Sequence, residues 1–238
     1  MLTASKSALL ALSFTLSLAV PASAGPMEDA LAGMRKDCQA AQRIWRSLAE
    51  RGDASAQFKL GVTFEFGGDY GCAPHDWFEA TKWYRRAANQ NFRSAEEALA
   101  SALYSGHGVA KDYSEALMWW HKAADQGSTN AQLFIGEAYV NGNGVSQDYV
   151  TAAKWIRVSA EHGDMQAQDE LGAMYEKGRG VSRDYVQSYM WLNRAVARWP
   201  AIDPRRGIVV KERDRVASKL TSAQLMEAQR LARDWKPL

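Results

Sequence analysis

The chain has 238 residues and a formal net charge of +2, with acidic and basic side chains interspersed rather than gathered into blocks. Nucleic acid and anionic membrane surfaces require a concentrated basic face, so this balance gives no electrostatic case for either. Nine tryptophans are many for this length, and their placement tells more than their number.

The first element in chain order spans residues 1–24. Lys6 lies in a short polar start, Ala8 to Val20 is an apolar run of 13 residues, and Ala22-Ser23-Ala24 places small residues just before Gly25. This is the three-part pattern of a secretory signal, and 13 residues fall short of the roughly 20 that a bilayer span needs. Cleavage after Ala24 is expected, leaving a periplasmic or secreted chain with no stable membrane insertion. The residue directly after the cleavage point is Gly25 and not a cysteine, so a lipid-anchored start is not expected. Two cysteines remain, Cys38 and Cys72, and an even count in an oxidising compartment predicts one disulfide. Two buried thiols or an intermolecular bridge are the alternatives. A bridge requires the two Cα atoms to come within about 7 Å.

From here the chain repeats. Trp83, Trp119, Trp155 and Trp191 are spaced by 36 residues, and so are Asp76, Asp112, Asp148 and Asp184, each followed by an aromatic residue. Such a period signals stacked supersecondary units. Each unit predicts two helices. The first carries a stripe with spacing four: Ala56, Leu60, Phe64; Ala95, Leu99, Leu103; Ala131, Ile135, Tyr139; Ala167, Leu171, Tyr175. Gly61, Ala100, Gly136 and Gly172 follow the middle member, and such small residues let two helices approach closely. The second helix starts at the Asp-aromatic pair, presents Ala80, Ala116, Ala152 or Ser188 and then the tryptophan, and stops at glycines such as Gly127 and Gly163. The first unit holds three extra residues within "FGGDYGCAPH".

The pattern A-x3-L-G-x2-Y, followed by G-x-G-V-x2-D-Y-x2-A-x2-W, resembles the Sel-1-like repeat, a relative of the tetratricopeptide helix pair. "AQLFIGEAYVNGNGVSQDYVTAAKWIRVSAEHG" and "AQDELGAMYEKGRGVSRDYVQSYMWLNRAV" carry the resemblance most fully. It implies an all-α, right-handed α-solenoid of stacked antiparallel helix pairs, with repeats at about 53–91, 92–127, 128–163 and 164–199. Degenerate capping helices are expected over 25–52, where Glu28 to Arg51 reads as an opening pair, and over 200–238. The prolines of "RWPAIDPRR" read as a break, with helices following over Val209 to Leu220 and Ser222 to Trp235, the second opened by a Thr221/Gln224 capping box.

Chemistry-bearing motifs are few. "GNGVSQDY" looks like a phosphate cradle, but a helix precedes it, and His107, Asn143 and Arg179 exchange freely between its glycines in successive repeats, so it reads as a turn. Asp69, Cys72, His75 and Asp76 form the one local cluster of metal-ligand types, and an oxidised Cys72 would not ligate. No metal or cofactor is expected, and no catalytic residue is assigned: no nucleophile motif is present, and Glu96 and Glu97, adjacent on a helix, point to different faces. The tryptophan ladder reads as core, while Trp45, Trp77 and Trp120 are off phase and free to be exposed.

Tetratricopeptide-type stacks line a concave face with their first helices. Opposite the stripe, the positions are Phe58, Val62 and Glu65; Glu97, Ser101 and Tyr104; Leu133, Glu137 and Val140; Asp169, Ala173 and Glu176. Acidic groups alternate there with apolar and aromatic ones, which suits an extended peptide or a partner helix with apolar anchors and some positive charge. A solvated face with binding elsewhere is the alternative. The resemblance implies a non-enzymatic scaffold or adaptor for a protein or peptide partner, with a monomer the expected state. It also admits a periplasmic regulator of a sensor kinase or envelope pathway. Cysteine-rich relatives linked to β-lactam or peptidoglycan hydrolysis carry a cysteine pair in each repeat, which this chain lacks.

Overall fold

Asp76, Asp112, Asp148 and Asp184 each start a helix, because the side chain accepts a hydrogen bond from a backbone N–H of the first turn, at Glu79, Glu115, Thr151 and Gln187 respectively. In each repeat the aspartate's own N–H donates to the carbonyl of the third stripe residue, Phe64, Leu103, Tyr139 or Tyr175, at 2.8–3.0 Å. One side chain and one backbone group thus fix where the second helix leaves the first.

The computed structural model describes residues 38–70 and 74–237. Those residues form eleven α-helices and no strand. They are α1 (Cys38–Glu50), α2 (Ala54–Tyr70), α3 (Trp77–Ala88), α4 (Arg93–Ser105), α5 (Tyr113–Asp125), α6 (Thr129–Asn141), α7 (Tyr149–Glu161), α8 (Met165–Lys177), α9 (Tyr185–Arg198), α10 (Pro204–Ala217) and α11 (Ser222–Asp234). Consecutive helices from α1 to α10 pack on one another, and α11 packs back on α9. The expected secretory signal, the start of the opening pair and Cys72 lie outside the described residues, and so does the side chain of Cys38.

The core follows the stripe. Ala56, Leu60, Ala95, Leu99, Ala131, Ile135, Ala167 and Leu171 are all fully buried. Opposite them stand Ala80, Ala116, Ala152 and Ser188, also fully buried. The small residue after the middle stripe member receives the residue just past the ladder tryptophan: a Cβ on Gly136 would overlap Ile156, and one on Gly172 would meet Leu192 Cγ at 2.7 Å. This contact explains why a mid-helix glycine is kept despite its helix-propensity cost of about 1 kcal/mol.

It also corrects the expectation for the off-phase aromatics. Trp45 and Trp120 are buried, at 0% and 2% exposure, because they occupy that same inward position, where the other repeats place Tyr84, Ile156 and Leu192. Trp77 is half-buried, stacked 4.4 Å from the His107 ring. The ladder tryptophans Trp83, Trp119 and Trp191 are buried, but Trp155 is only half-buried and meets the His121 ring edge-on at 5.3 Å.

Two further differences concern helix ends. The enlarged first turn is partly helical: α2 has 17 residues where α4, α6 and α8 have 13, and it runs through Gly67, the counterpart of the Gly106 that ends α4. After α9, the chain starts its next helix at Pro204, not Val209, and ends it at Ala217. Asp203 caps it by accepting from the Arg205 N–H at 2.8 Å. Pro204 follows at the first helical position, where the missing N–H costs nothing, so this proline starts a helix that it was expected to precede. The Thr221/Gln224 capping box is present at α11.

Candidate interaction surface

The first helices of the four pairs, α2, α4, α6 and α8, carry the twelve predicted groove residues in matching register. Ser101 is exposed, and Phe58, Val62, Glu65, Glu97, Tyr104, Glu137, Val140 and Ala173 are half-buried. Many of them are engaged with neighbours. Phe58 lies between the Tyr84 and Phe92 rings, at 5.7 and 5.5 Å, and Glu65 accepts the Tyr84 hydroxyl hydrogen bond. Burial, and then this bond to Glu65, pushes the Tyr84 phenol well above its ordinary range. Tyr104 packs on Tyr113 and Trp120, and its hydroxyl accepts from Asn143 Nδ2 at 2.7 Å.

Leu133, Asp169 and Glu176, expected to face an open groove, are instead buried. Leu133 joins the core shared with Ala167 and Leu171. Asp169 and Glu176 are covered from α10. Arg205 donates to Asp169 through Nη2 at 2.9 Å and Nε at 3.3 Å, while Arg215 and Lys219 donate to Glu176 at 2.7 and 2.9 Å. The early residue of α8 meets the early residue of α10, and the late residue meets the late end. α10 therefore runs beside α8 in the same direction, in the place of a fifth first helix.

The electrostatics of this boundary are settled within the chain. Burial pushes Glu176 upward, but the hydrogen bonds from Lys219 and Arg215 outweigh it and hold the carboxyl below its ordinary value. The hydrogen bond that it donates to Asp169 raises Arg205. One boundary earlier, between α6 and α8, the arrangement differs. Gln166 Nε2 lies 2.8 Å from Glu137 Oε1 and 3.4 Å from Glu170 Oε1, bridging two acids. Burial, and then the neighbouring Glu137, pushes Glu170 up to about 8. A cavity of about 400 Å³ opens there, lined by both carboxylates with Val140, Ala173, Met174 and Tyr149.

The inner turns pack on the preceding repeat. A Cβ on Gly180 would fall on the Tyr149 carbonyl, and one on Gly144 would lie 2.7 Å from the Tyr113 carbonyl oxygen, so the second glycine of each G-x-G is needed for chain-on-chain contact. The variable residue between the glycines works on the aromatic below it. His107 stacks on Trp77, Asn143 reaches Tyr104 beside Tyr113, and Arg179 sits 5.6 Å above the Tyr149 ring. In the local cluster of metal-ligand residue types, Asp76 is committed to capping α3 and His75 meets the Trp77 ring edge-on at 5.1 Å. Cys72 and the side chain of Asp69 lie outside the described residues. Among the described residues, no group of three His, Cys, Asp or Glu is placed to hold a metal, and no helix is long and apolar enough to cross a membrane.

Sequence reasoning missed two features. Gln57, Glu96, Gln132 and Gln168 occupy one repeat position and are all buried. Gln57 and Gln168 donate to the carbonyls of Ala49 and Ala160 in the preceding helix, each at 3.0 Å. Glu96 accepts from Gln126 at 2.6 Å through one oxygen, while the other has no hydrogen-bond partner, and burial raises its pKa. The register of the three glutamines was the available signal. Glu170 was the second omission, lying off the groove stripe but within reach of Glu137.

The Sel1 repeat family model matches residues 54–92, 93–128, 129–164 and 166–198. These cover more than half of the chain, which belongs to the Sel1 repeat family. Among solved structures it is similar to a Sel1 repeat protein from Oxalobacter formigenes, with 33% identity, a TM-score of 0.69 and 74% of each chain covered. It is also similar to c5321, a protective antigen present in uropathogenic Escherichia coli strains and displaying an SLR fold. That likeness has 28% identity and a TM-score of 0.54, and it covers 87% of this chain but 52% of the other. Comparison with the curated proteins gives no match. Sel1 repeats generally mediate protein–protein interactions, and the proteins that carry them are generally non-enzymatic scaffolds.

Proposed function

We propose that this protein is an exported scaffold or adaptor that binds a protein or peptide partner through the face formed by α2, α4, α6 and α8. The supporting observation is the register of those helices. It sets half-buried Phe58, Val62, Tyr104 and Val140 among Glu65, Glu97 and Glu137, so that apolar anchors and acceptor groups alternate along one surface. Such a surface recognises an extended or helical segment by side-chain pockets and charge rather than by backbone pairing. Export rests on the residue 1–24 pattern, and an intact mass of protein from the periplasm starting at Gly25 is its test.

Binding is tested by capture from periplasmic extract with wild type and with Glu97→Arg/Ser101→Arg, both shown to be folded by circular dichroism. The double variant changes two outward positions of α4 and is expected to lose the captured partner. Equal capture by both proteins would place binding elsewhere.

A further inference from the structure

The α6–α8 boundary lacks something that the α8–α10 boundary has. Where α8 presents Asp169 and Glu176 to its neighbour, α10 and the segment just past its end answer with Arg205, Arg215 and Lys219, which outnumber the one acid, Glu212, that α10 sets beside Asp169. Where α6 presents Glu137, α8 answers with another acid, Glu170, and one amide, Gln166 Nε2, serves both. Neither carboxylate has an ion-pair partner among the described residues. Lys177 and Arg179 line the same cavity without pairing to the acids, and Arg179 is held over the Tyr149 ring. Two carboxylates that share one partly buried site favour keeping a proton between them, or accepting a cation from outside.

The walls narrow the choice of cation. Val140, Ala173 and Met174 line the cavity with the two acids, and Tyr149 adds an aromatic ring. A long basic side chain covers apolar surface with its methylene stem while its charged head makes hydrogen bonds. A free metal ion would leave those apolar walls without a partner.

We propose that this cavity is a binding site for one basic side chain, a lysine or arginine of the partner, seated with its charge between Glu137 and Glu170 and its stem along Val140, Ala173 and Met174. The inference rests on the concave-face reading above and names what that face recognises. Seating the cation releases the proton held by the acid pair, so binding tightens as pH rises toward 8. Asp169, Lys177, Arg179, Tyr149 and, from α10, Arg205 are the other titratable groups around Glu170; Arg205 acts on it from a distance while its ion pair is with Asp169, and none of them makes an ion pair with Glu170.

The test is a titration of the ¹⁵N-labelled chain, followed by NMR, with Nα-acetyl-lysine methylamide and its uncharged isostere Nα-acetyl-norleucine methylamide. Saturable shifts at the Val140, Ala173 and Met174 amides are expected with the lysine compound alone. In Glu137→Gln/Glu170→Gln, whose remaining spectrum should be unchanged, affinity should fall about tenfold, in line with loss of a charge-assisted contact. Equal shifts with norleucine, undiminished lysine binding by the double variant, or no saturable shift would each overturn the proposal. If lysine shifts are absent while Glu97→Arg/Ser101→Arg still abolishes partner capture, only this inference fails. If lysine binds while capture is indifferent to those α4 substitutions, it is the concave-face reading that fails.

Discussion

The two boundaries flanking α8 are built on one repeat register and reach opposite electrostatic outcomes. Toward α10, nearly buried Asp169 and Glu176, at 5% and 8% exposure, are matched by three cations, which hold Glu176 below its ordinary value, although burial and then Asp169 raise Glu212 of α10. Toward α6, Glu137 and Glu170 meet each other, and Glu170 keeps its proton to about pH 8. The repeat dictates the packing of Ala, Leu and Gly at both places. The residues outside the repeat consensus decide whether a boundary is closed by the chain itself or left for a partner.

The largest expected effect comes from breaking the closed boundary. Arg215→Met/Lys219→Met leaves Glu176 covered but without its cations, and should cost about 2–3 kcal/mol in urea unfolding. That range is set below the full penalty for an orphaned buried charge because both cations are partly exposed. If the loss stays under about 0.5 kcal/mol, the cations at this boundary are ornamental.

Relieving the open boundary should act in the other direction. The folded-state pKa of Glu170 is raised, so the stability linked to its protonated form is complete below its ordinary value and is lost as pH rises from about 4.5 through about 8. Glu170→Gln should therefore match wild type near pH 4.5 and exceed it by on the order of 1 kcal/mol at pH 8.5, read as thermal midpoint against pH. A gap of equal size at both pH values would mean that the acid pair is not its source.

A smaller gain is expected at α4. Glu96 stands where Gln57 and Gln168 donate to the preceding helix, and by register it faces the Ala88 carbonyl with no N–H to offer. Glu96→Gln should add about 0.5–1 kcal/mol near neutral pH, measured by denaturant unfolding. Its raised pKa gives the same sign, with the benefit growing as pH rises. The smallest effect belongs to an exposed pair within α3, Lys82 with Glu79 at 2.9 Å. Lys82→Gln should change stability by less than about 0.5 kcal/mol, and a larger loss would show that surface pairs contribute more here than the comparison assumes.

How much of this was legible in the sequence depended on whether a feature repeats. The stripe, the capping aspartates and the G-x-G turns recur at a fixed period, so residue identity alone located the helix pairs. Trp45 and Trp120 are out of phase with the tryptophan ladder, which hides in the sequence that they match the inward position held by Tyr84, Ile156 and Leu192. Leu133, Asp169 and Glu176 were placed in an open groove because local register indicates a face but not what covers it. The cover on the two acids was α10, whose start at Pro204 had been read as a break. Glu170 went unremarked for the same reason: its significance lies in a side chain 33 residues away.

The comparison is tested most directly by ¹³C NMR titration of the glutamate side-chain carboxyls, assigned through Glu137→Gln, Glu170→Gln and Glu176→Gln. Glu170 should titrate near pH 8, coupled to Glu137, while Glu176 should titrate below the ordinary glutamate range. If Glu170 and Glu176 both titrated near 4.5, the two boundaries would be electrostatically alike and the account would be contradicted.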